Sequence, residues 1–138
     1  MRKILLVFRD KIFFQKIKRT FPGTARLTHK TECSVQDYTG CRAAGPDLVI
    51  LDWRYIGHLR GLSAVSKVVV AADSYDTNRE YLSARLGAKG FITKNMSGPS
   101  LRRVVDVLSS GQVWMTRRVA SRICKEYSRL CRNENNMS

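Results

Sequence analysis

PDLVILDW, residues 46–53, is a short apolar segment that begins with a proline and has an acidic residue on either side of its apolar core. A run of this kind is typical of a strand buried on both faces of a parallel sheet. We predict the strand over residues 47–51, with Asp52 directly after it. The segment therefore predicts a carboxylate at the carboxyl end of a strand, where open α/β sheets hold their functional residues.

Four further segments have the same apolar character and alternate with helical patterns. Strands are predicted over residues 3–8, 24–29, 67–71 and 90–93. Apolar stripes at three- and four-residue spacing predict helices over 11–21, from Ser34, over 77–86, from Pro99 to Gly111 and from about Thr116. Such alternation predicts an α/β fold: a doubly wound five-stranded parallel sheet with helices on both faces, plus an extra C-terminal helix.

The length of 138 residues fits one compact domain. We expect residues 1–110 to form this domain and residues 111–138 to supply a C-terminal helix or linker and a polar tail. No apolar run approaches the roughly 20 residues that cross a bilayer, and the apolar stretch after Lys3 is too short for a signal peptide. We therefore expect a cytoplasmic protein with no membrane partner.

Several functional classes are disfavoured by the residues present. No cysteine lies at a zinc-ligand spacing from another cysteine or from a histidine, so we expect free thiols at Cys33, Cys41, Cys124 and Cys131. The segment after the first strand lacks the small residues of a flavin phosphate cradle. No nucleophile and base are arranged for a hydrolase. The sequence favours a protein that is not an enzyme.

The net charge of +14 indicates attraction to phosphate-rich polymers or acidic protein surfaces. The basic residues are densest near the C-terminus, at Arg117, Arg118, Arg122 and Lys125. A charge run of this kind is more often a solvated helix face than a binding site. Nucleic-acid contact through these four residues is kept as an alternative.

Two blocks resemble the receiver domains of bacterial two-component response regulators: residues 46–53 and GAKGFITK, residues 87–94. Residues 97–123, and GQVWM at 111–115 above all, resemble the last receiver helix and linker of the subfamily with a LuxR-type helix-turn-helix output domain. The resemblance implies a flavodoxin-like fold, with Asp52 as the phosphoacceptor and Lys94 as the phosphoryl contact. It also implies a homodimer and a sensor histidine kinase as partners.

The sequence departs from the receiver pattern at the phosphorylation machinery. Receivers hold Mg²⁺ with two acidic residues after the first strand, and these positions align with Phe8 and Arg9. A phenyl ring cannot bind Mg²⁺ and a guanidinium repels it, which leaves Asp10 as a ligand one step later. Ala72 stands where the family has a hydroxyl, and Phe91 occupies the place of the switch aromatic without a hydroxyl.

These departures favour an atypical receiver, or pseudo-receiver, that acts in signal transduction and transcription regulation by dimerisation or protein interaction, without a cofactor. We hypothesise that Arg9 takes the place of the metal and pairs with Asp52, with Lys94 as a second cation. One alternative is a phosphorelay receiver whose Asp10 and Asp52 bind Mg²⁺. Another is a basic nucleic-acid-binding module. In a longer regulator, a DNA-binding output domain would follow Ser138.

Overall fold

The computed structural model describes residues 2–8, 10–21, 25–30 and 47–136. Within them, one sheet contains five strands in the order β2-β1-β3-β4-β5, and every neighbouring pair is parallel. The strands are β1 (Arg2–Val7), β2 (Ala25–Lys30), β3 (Leu48–Asp52), β4 (Val68–Ala72) and β5 (Gly90–Thr93). This order is that of the flavodoxin-like doubly wound fold, so the predicted fold class is confirmed.

In the described residues, helices follow β1, β3, β4 and β5 and lie on both faces of the sheet. They are α1 (Lys11–Thr20), a 3-10 helix (Trp53–His58) that leads into the short α2 (Leu59–Ser63), α3 (Thr77–Arg85), α4 (Gly98–Ser109) and α5 (Arg117–Asn136). Pro99 lies in the first turn of α4, where its missing N–H costs no helical hydrogen bond. None of the helices in the described ranges has the length and apolar character that spanning a bilayer requires.

The continuous apolar strands feed two cores, because successive side chains of a strand point to opposite faces. Leu6 and Ile50 pack with α1 and α4 on one face. Val7 and Leu51 pack on the other face, with the 3-10 helix and α2. All five residues of β3 are buried, so the strand that ends in Asp52 is central to the fold.

Some predicted features lie outside the described residues. They are the helix expected from Ser34, the Arg9 side chain that we expected to replace the metal, and the thiols of Cys33 and Cys41. Cys124 and Cys131, both on α5, are free thiols.

The segment between α4 and α5 runs along the outer edge of the sheet. Trp114 forms an isolated parallel bridge with Gly90 of β5. The Phe91 N–H donates to the Trp114 carbonyl at 3.0 Å, and the Trp114 N–H donates to the Lys89 carbonyl at 2.8 Å. A Cβ on residue 90 would lie 3.1 Å from the Trp114 carbonyl oxygen, so the glycine permits this close approach.

A buried carboxylate fixes the start of α5 on α3. Glu80 of α3 is 2% exposed. It accepts hydrogen bonds from the Thr116 N–H at 3.0 Å, the Thr116 hydroxyl at 2.7 Å and the Tyr75 hydroxyl at 2.8 Å. Val119, in the first turn of α5, is buried beside this network. The helix then continues to Asn136, into the polar residues near the end of the chain.

Candidate functional site

Charged side chains from four strand ends meet at the carboxyl edge of the sheet. Asp10 follows β1, Asp52 ends β3, Asp73 follows β4 and Lys94 follows β5. Together with Arg54 they line a shallow cavity of about 320 Å³. The parallel sheet explains this convergence, since the carboxyl ends of neighbouring strands lie side by side.

Lys94 is the centre of the cluster. Its Nζ lies 2.9 Å from Asp52 Oδ2, 3.4 Å from Asp73 Oδ1 and 3.5 Å from Asp10 Oδ2. The Lys16 ammonium of α1 donates to the Lys94 carbonyl at 2.9 Å, which holds the end of β5 in place. Lys94 thus contacts carboxylates from three different strand ends.

The surrounding carboxylates keep Lys94 charged. Burial lowers the pKa of its ammonium, but the hydrogen bond and charge of Asp52, followed by the charges of Asp73 and Asp10, outweigh burial and raise the pKa above its ordinary value. Lys94 is therefore a fixed cation at every physiological pH.

Both carboxylate oxygens of Asp52 are hydrogen-bonded. Oδ2 accepts from the Lys94 ammonium, and Oδ1 accepts from the Arg54 N–H at 3.2 Å. The second bond caps the 3-10 helix that begins at Trp53. The Asp52 side chain is only 12% exposed, so these protein donors replace most of its hydration.

Asp10 is the N-cap residue of α1. Its Oδ1 accepts from the Ile12 N–H at 3.0 Å and the Phe13 N–H at 3.1 Å. The Phe13 N–H is the largest influence on the carboxyl group, and together with the Lys94 charge and the Ile12 N–H it lowers the pKa of Asp10 despite partial burial. Asp10 therefore has a structural task that is independent of any ligand.

The described residues are a poor fit to Mg²⁺. The ion requires several oxygen ligands in near-octahedral geometry, with carboxylates able to approach it closely. Phe8, at one of the two positions that receivers fill with an acid, is buried and offers no oxygen, while Asp10 uses one oxygen as the helix cap and turns the other toward Lys94. Within the described ranges, no group of three or more acidic, histidine or cysteine residues has the arrangement of a metal site.

Comparison with solved structures identifies the fold that carries this site. A two-component response regulator of the LuxR family from Aurantimonas sp. SI85-9A1 superposes with a TM-score of 0.72 at 18% identity, covering 91% of this chain and 97% of that one. This chain has the receiver fold.

Two further structures agree. A LuxR family DNA-binding response regulator from Silicibacter pomeroyi has a TM-score of 0.68 at 22% identity, covering 86% of this chain and 99% of that one. A response regulator from Thermotoga maritima has a TM-score of 0.71 at 21% identity, covering 80% and 98%. No family model matches the sequence, and no curated protein matches it.

In this receiver fold, Phe8 lies beneath the site rather than in its lining. Its side chain is fully buried, its ring centroid is 4.8 Å from that of Phe13, and Lys94 Nζ lies 5.6 Å from its centroid. Phe8 therefore fills the core on the α1 face. The hypothesis that Arg9 pairs with Asp52 stays a prediction, because Arg9 lies outside the described residues.

Two other positions that the receiver resemblance assigned to phosphoryl recognition and switching, Ala72 and Phe91, are buried in the core. Ala72, at the end of β4, is 1% exposed and supplies no hydroxyl. Phe91 is buried in β5, with its ring edge-on to Tyr75 at 6.2 Å between centroids. Sequence reasoning missed Asp73, which directly follows Ala72. Its position after a predicted strand was the signal that could have identified it.

The basic residues predicted as a nucleic-acid contact lie apart from this cavity, on α5. Arg117, Arg118, Arg122 and Lys125 are all exposed, and none lines the cavity at Asp52. The Arg122 guanidinium lies 3.6 Å above the Tyr81 ring and 3.7 Å from Glu126, whose carboxylate also accepts the Tyr81 hydroxyl. These contacts join the middle of α5 to α3.

Proposed function

We propose that this chain is a pseudo-receiver: a cytoplasmic signalling module that acts in transcription regulation by dimerisation or contact with another regulatory protein. The observation that carries the proposal is Phe8, whose fully buried phenyl ring stands where receivers place one of their two acidic Mg²⁺ ligands. A receiver without an acid at this position lacks one of the carboxylates that would hold the ion. The proposed activity needs no turnover and no cofactor.

Charge at the site supports the proposal. A carboxylate accepts a phosphoryl group only where cations offset the negative charge on both partners. Lys94 is shared among three carboxylates, and Arg54 is the other cation among the described residues that line the cavity. Among the described residues that line the cavity, three acids face two bases, so without a divalent ion this negative charge would repel a phosphoryl group.

The alternative is a Mg²⁺-dependent phosphoacceptor of a phosphorelay. The contact of Lys94 with Asp52 at 2.9 Å favours it, because a lysine beside the acceptor aspartate is the pairing that the receiver resemblance implies. In this case Asp10 and Asp52 would supply the protein ligands. Mg²⁺ would supply the cationic charge that phosphoryl transfer requires.

Titration with Mg²⁺ and fluoroberyllate distinguishes the two functions. Trp53 directly follows Asp52, is half-buried and has the Arg79 guanidinium 5.1 Å from its ring centroid, so its fluorescence reports on the site. The proposal expects no saturable change at millimolar Mg²⁺. The Trp53→Phe variant identifies the source of any signal, since the chain has two tryptophans.

A saturable change that is lost in Asp52→Asn and retained in Asp106→Asn would establish the phosphoacceptor instead. Asp106 is an exposed aspartate on α4 and serves as the matched control. Sedimentation velocity supplies a positive readout. The pseudo-receiver is expected to self-associate, or to bind its regulatory partner, to the same extent with and without Mg²⁺ and fluoroberyllate.

A further inference from the structure

The basic residues of α5 form a single stripe along the helix. Their positions follow one another at alternating steps of four and three residues: Arg118, Arg122, Lys125, Arg129 and Arg132. With about 100° of rotation per residue, these five fall within an arc of roughly 80°. With a rise of 1.5 Å per residue, the stripe extends for about 21 Å. We call this set the basic stripe.

We propose that the basic stripe binds the phosphate backbone of duplex DNA. This activity goes beyond the proposed signalling function and does not depend on the state of Asp52. Three features of the helix support it: the orientation of α5, the scarcity of acidic partners for the stripe and the linear arrangement of its charges.

The docking of α5 turns the stripe outward. Val119 is 1% exposed and Ile123 is half-buried, and they lie on the apolar side of the helix, about 100° and 140° from the centre of the stripe. Glu80 holds the preceding Thr116 by two hydrogen bonds. Because these contacts fix the rotation of the helix about its axis, the cations face solvent as a preformed surface.

Within the described residues, only Arg122 of the stripe has an acidic partner, Glu126 at 3.7 Å. The other four cations are exposed, or nearly so, and form no salt bridge in this part of the chain. Like charges three and four residues apart on a helix repel each other. A bound polyanion would relieve this repulsion, whereas water and salt only screen it.

The linear shape of the charge favours nucleic acid over other anionic surfaces. Successive cations are about 4.5 to 6 Å apart along the helix, and the stripe is as long as about six base pairs. Ser121 lies among the cations of the stripe, in a surface depression of about 570 Å³, and adds a hydroxyl of the kind that contacts phosphates. A helix that binds membranes needs a continuous free apolar face, whereas the first turns of this face are packed on α3 and leave Tyr127 and Leu130 of it exposed.

Fluorescence anisotropy with a short labelled duplex of arbitrary sequence tests the proposal on the full chain. We expect binding that weakens steeply between about 50 and 200 mM salt, as counterion release requires. The triple variant Arg118→Ala, Lys125→Ala, Arg129→Ala is expected to lose affinity by about tenfold or more at low salt. The slope of log K against log salt should become shallower by about 2 to 3, roughly one for each lost phosphate contact.

The matched control removes the same charge from exposed arginines of α2 and α4: Arg60→Ala, Arg102→Ala and Arg103→Ala. We expect this control to retain most of the affinity. Equal losses in both triple variants would overturn the proposal, because binding would then follow from the net charge of +14 alone.

Two further measurements complete the test. A charge-preserving variant, Arg118→Lys with Arg129→Lys, should bind within a few fold of the parent, because phosphates accept a lysine as a point charge. Circular dichroism confirms that α5 persists, as alanine at exposed helical positions favours it. Absence of salt-sensitive DNA binding at 50 mM salt would overturn the proposal. So would tighter binding to phosphatidylserine vesicles or to an acidic polypeptide than to the duplex.

Discussion

Lys94 Nζ lies 2.9 Å from Asp52 Oδ2, so residues that are 42 positions apart in the chain form one ion pair at the carboxyl edge of the sheet. Their side chains are 14% and 12% exposed. Because both side chains are largely shielded from water, a charge that lost its partner would not regain full hydration. The pair therefore matters to folding as well as to any signalling role.

Replacement of Lys94 by methionine is expected to lower the free energy of unfolding by about 1–3 kcal/mol at pH 7, because the three carboxylates around it would lose their shared cation. Urea denaturation measures the change, with the exposed Lys89→Met as the control. Because the Lys94 pKa is raised on folding, the charge of Lys94 contributes fully to stability below about pH 10.5. This contribution is lost as the pH rises through the raised pKa. Equal stability of the two variants would contradict this account.

Replacement of Asp10 by alanine should lower the free energy of unfolding by about 1 kcal/mol at pH 7, because α1 loses its N-cap. The Asp10 pKa is lower in the folded than in the unfolded protein. Its charge therefore stabilises the fold above about pH 4, and this contribution is lost as the pH falls through the folded-state pKa. Urea denaturation between pH 7 and pH 3 should show that the difference in free energy of unfolding between the parent and Asp10→Ala becomes smaller as the pH falls. A constant difference would mean that the charge of Asp10 has no part in stability.

Replacement of Glu80 by methionine is expected to loosen α5, because the Thr116 N–H, the Thr116 hydroxyl and the Tyr75 hydroxyl would all lose the carboxylate that accepts from them. Hydrogen exchange at Thr116 and the first turn of α5 should accelerate by about tenfold or more, which corresponds to a cost of roughly 1–3 kcal/mol for a buried unsatisfied group. Glu126→Met is the comparison variant on the same pair of helices, since Glu126 of α5 is half-buried and accepts from the Tyr81 hydroxyl of α3. Its exchange should change less, and an equal effect would argue against a special role for Glu80.

The strands were predictable from sequence to within one or two residues, because strands buried on both faces are continuous apolar runs. Asp52 and Lys94 were predictable for the same reason, since each stands at the end of such a run. The contact between them followed from the parallel topology. Part of the candidate site could thus be predicted from sequence patterns that extend over only a few residues.

Other features depend on distant parts of the chain. By its place in the sequence, Glu80 resembles an exposed acidic residue of a helix. It is buried at the contact with the start of α5, where Thr116, 36 residues later in the chain, donates to it. Phe8 aligns with an acidic receiver position, but alternation along its strand carries its ring into the α1 core. Asp73 was missed because the receiver resemblance directs attention to a hydroxyl at the end of β4, and not to the residue that follows it. The pairing of Lys94 with a third carboxylate therefore emerged only in three dimensions.

The bridge between Gly90 and Trp114 also has a consequence for self-association. β5 is the outer strand of the sheet on that side, and unpaired outer strands can template intermolecular β-pairing and aggregation. The Phe91 N–H and the Lys89 carbonyl are already bonded to the Trp114 backbone. A second chain could not extend the sheet at these groups without first displacing Trp114, so the protein carries its own protection against fibril-like growth along this edge.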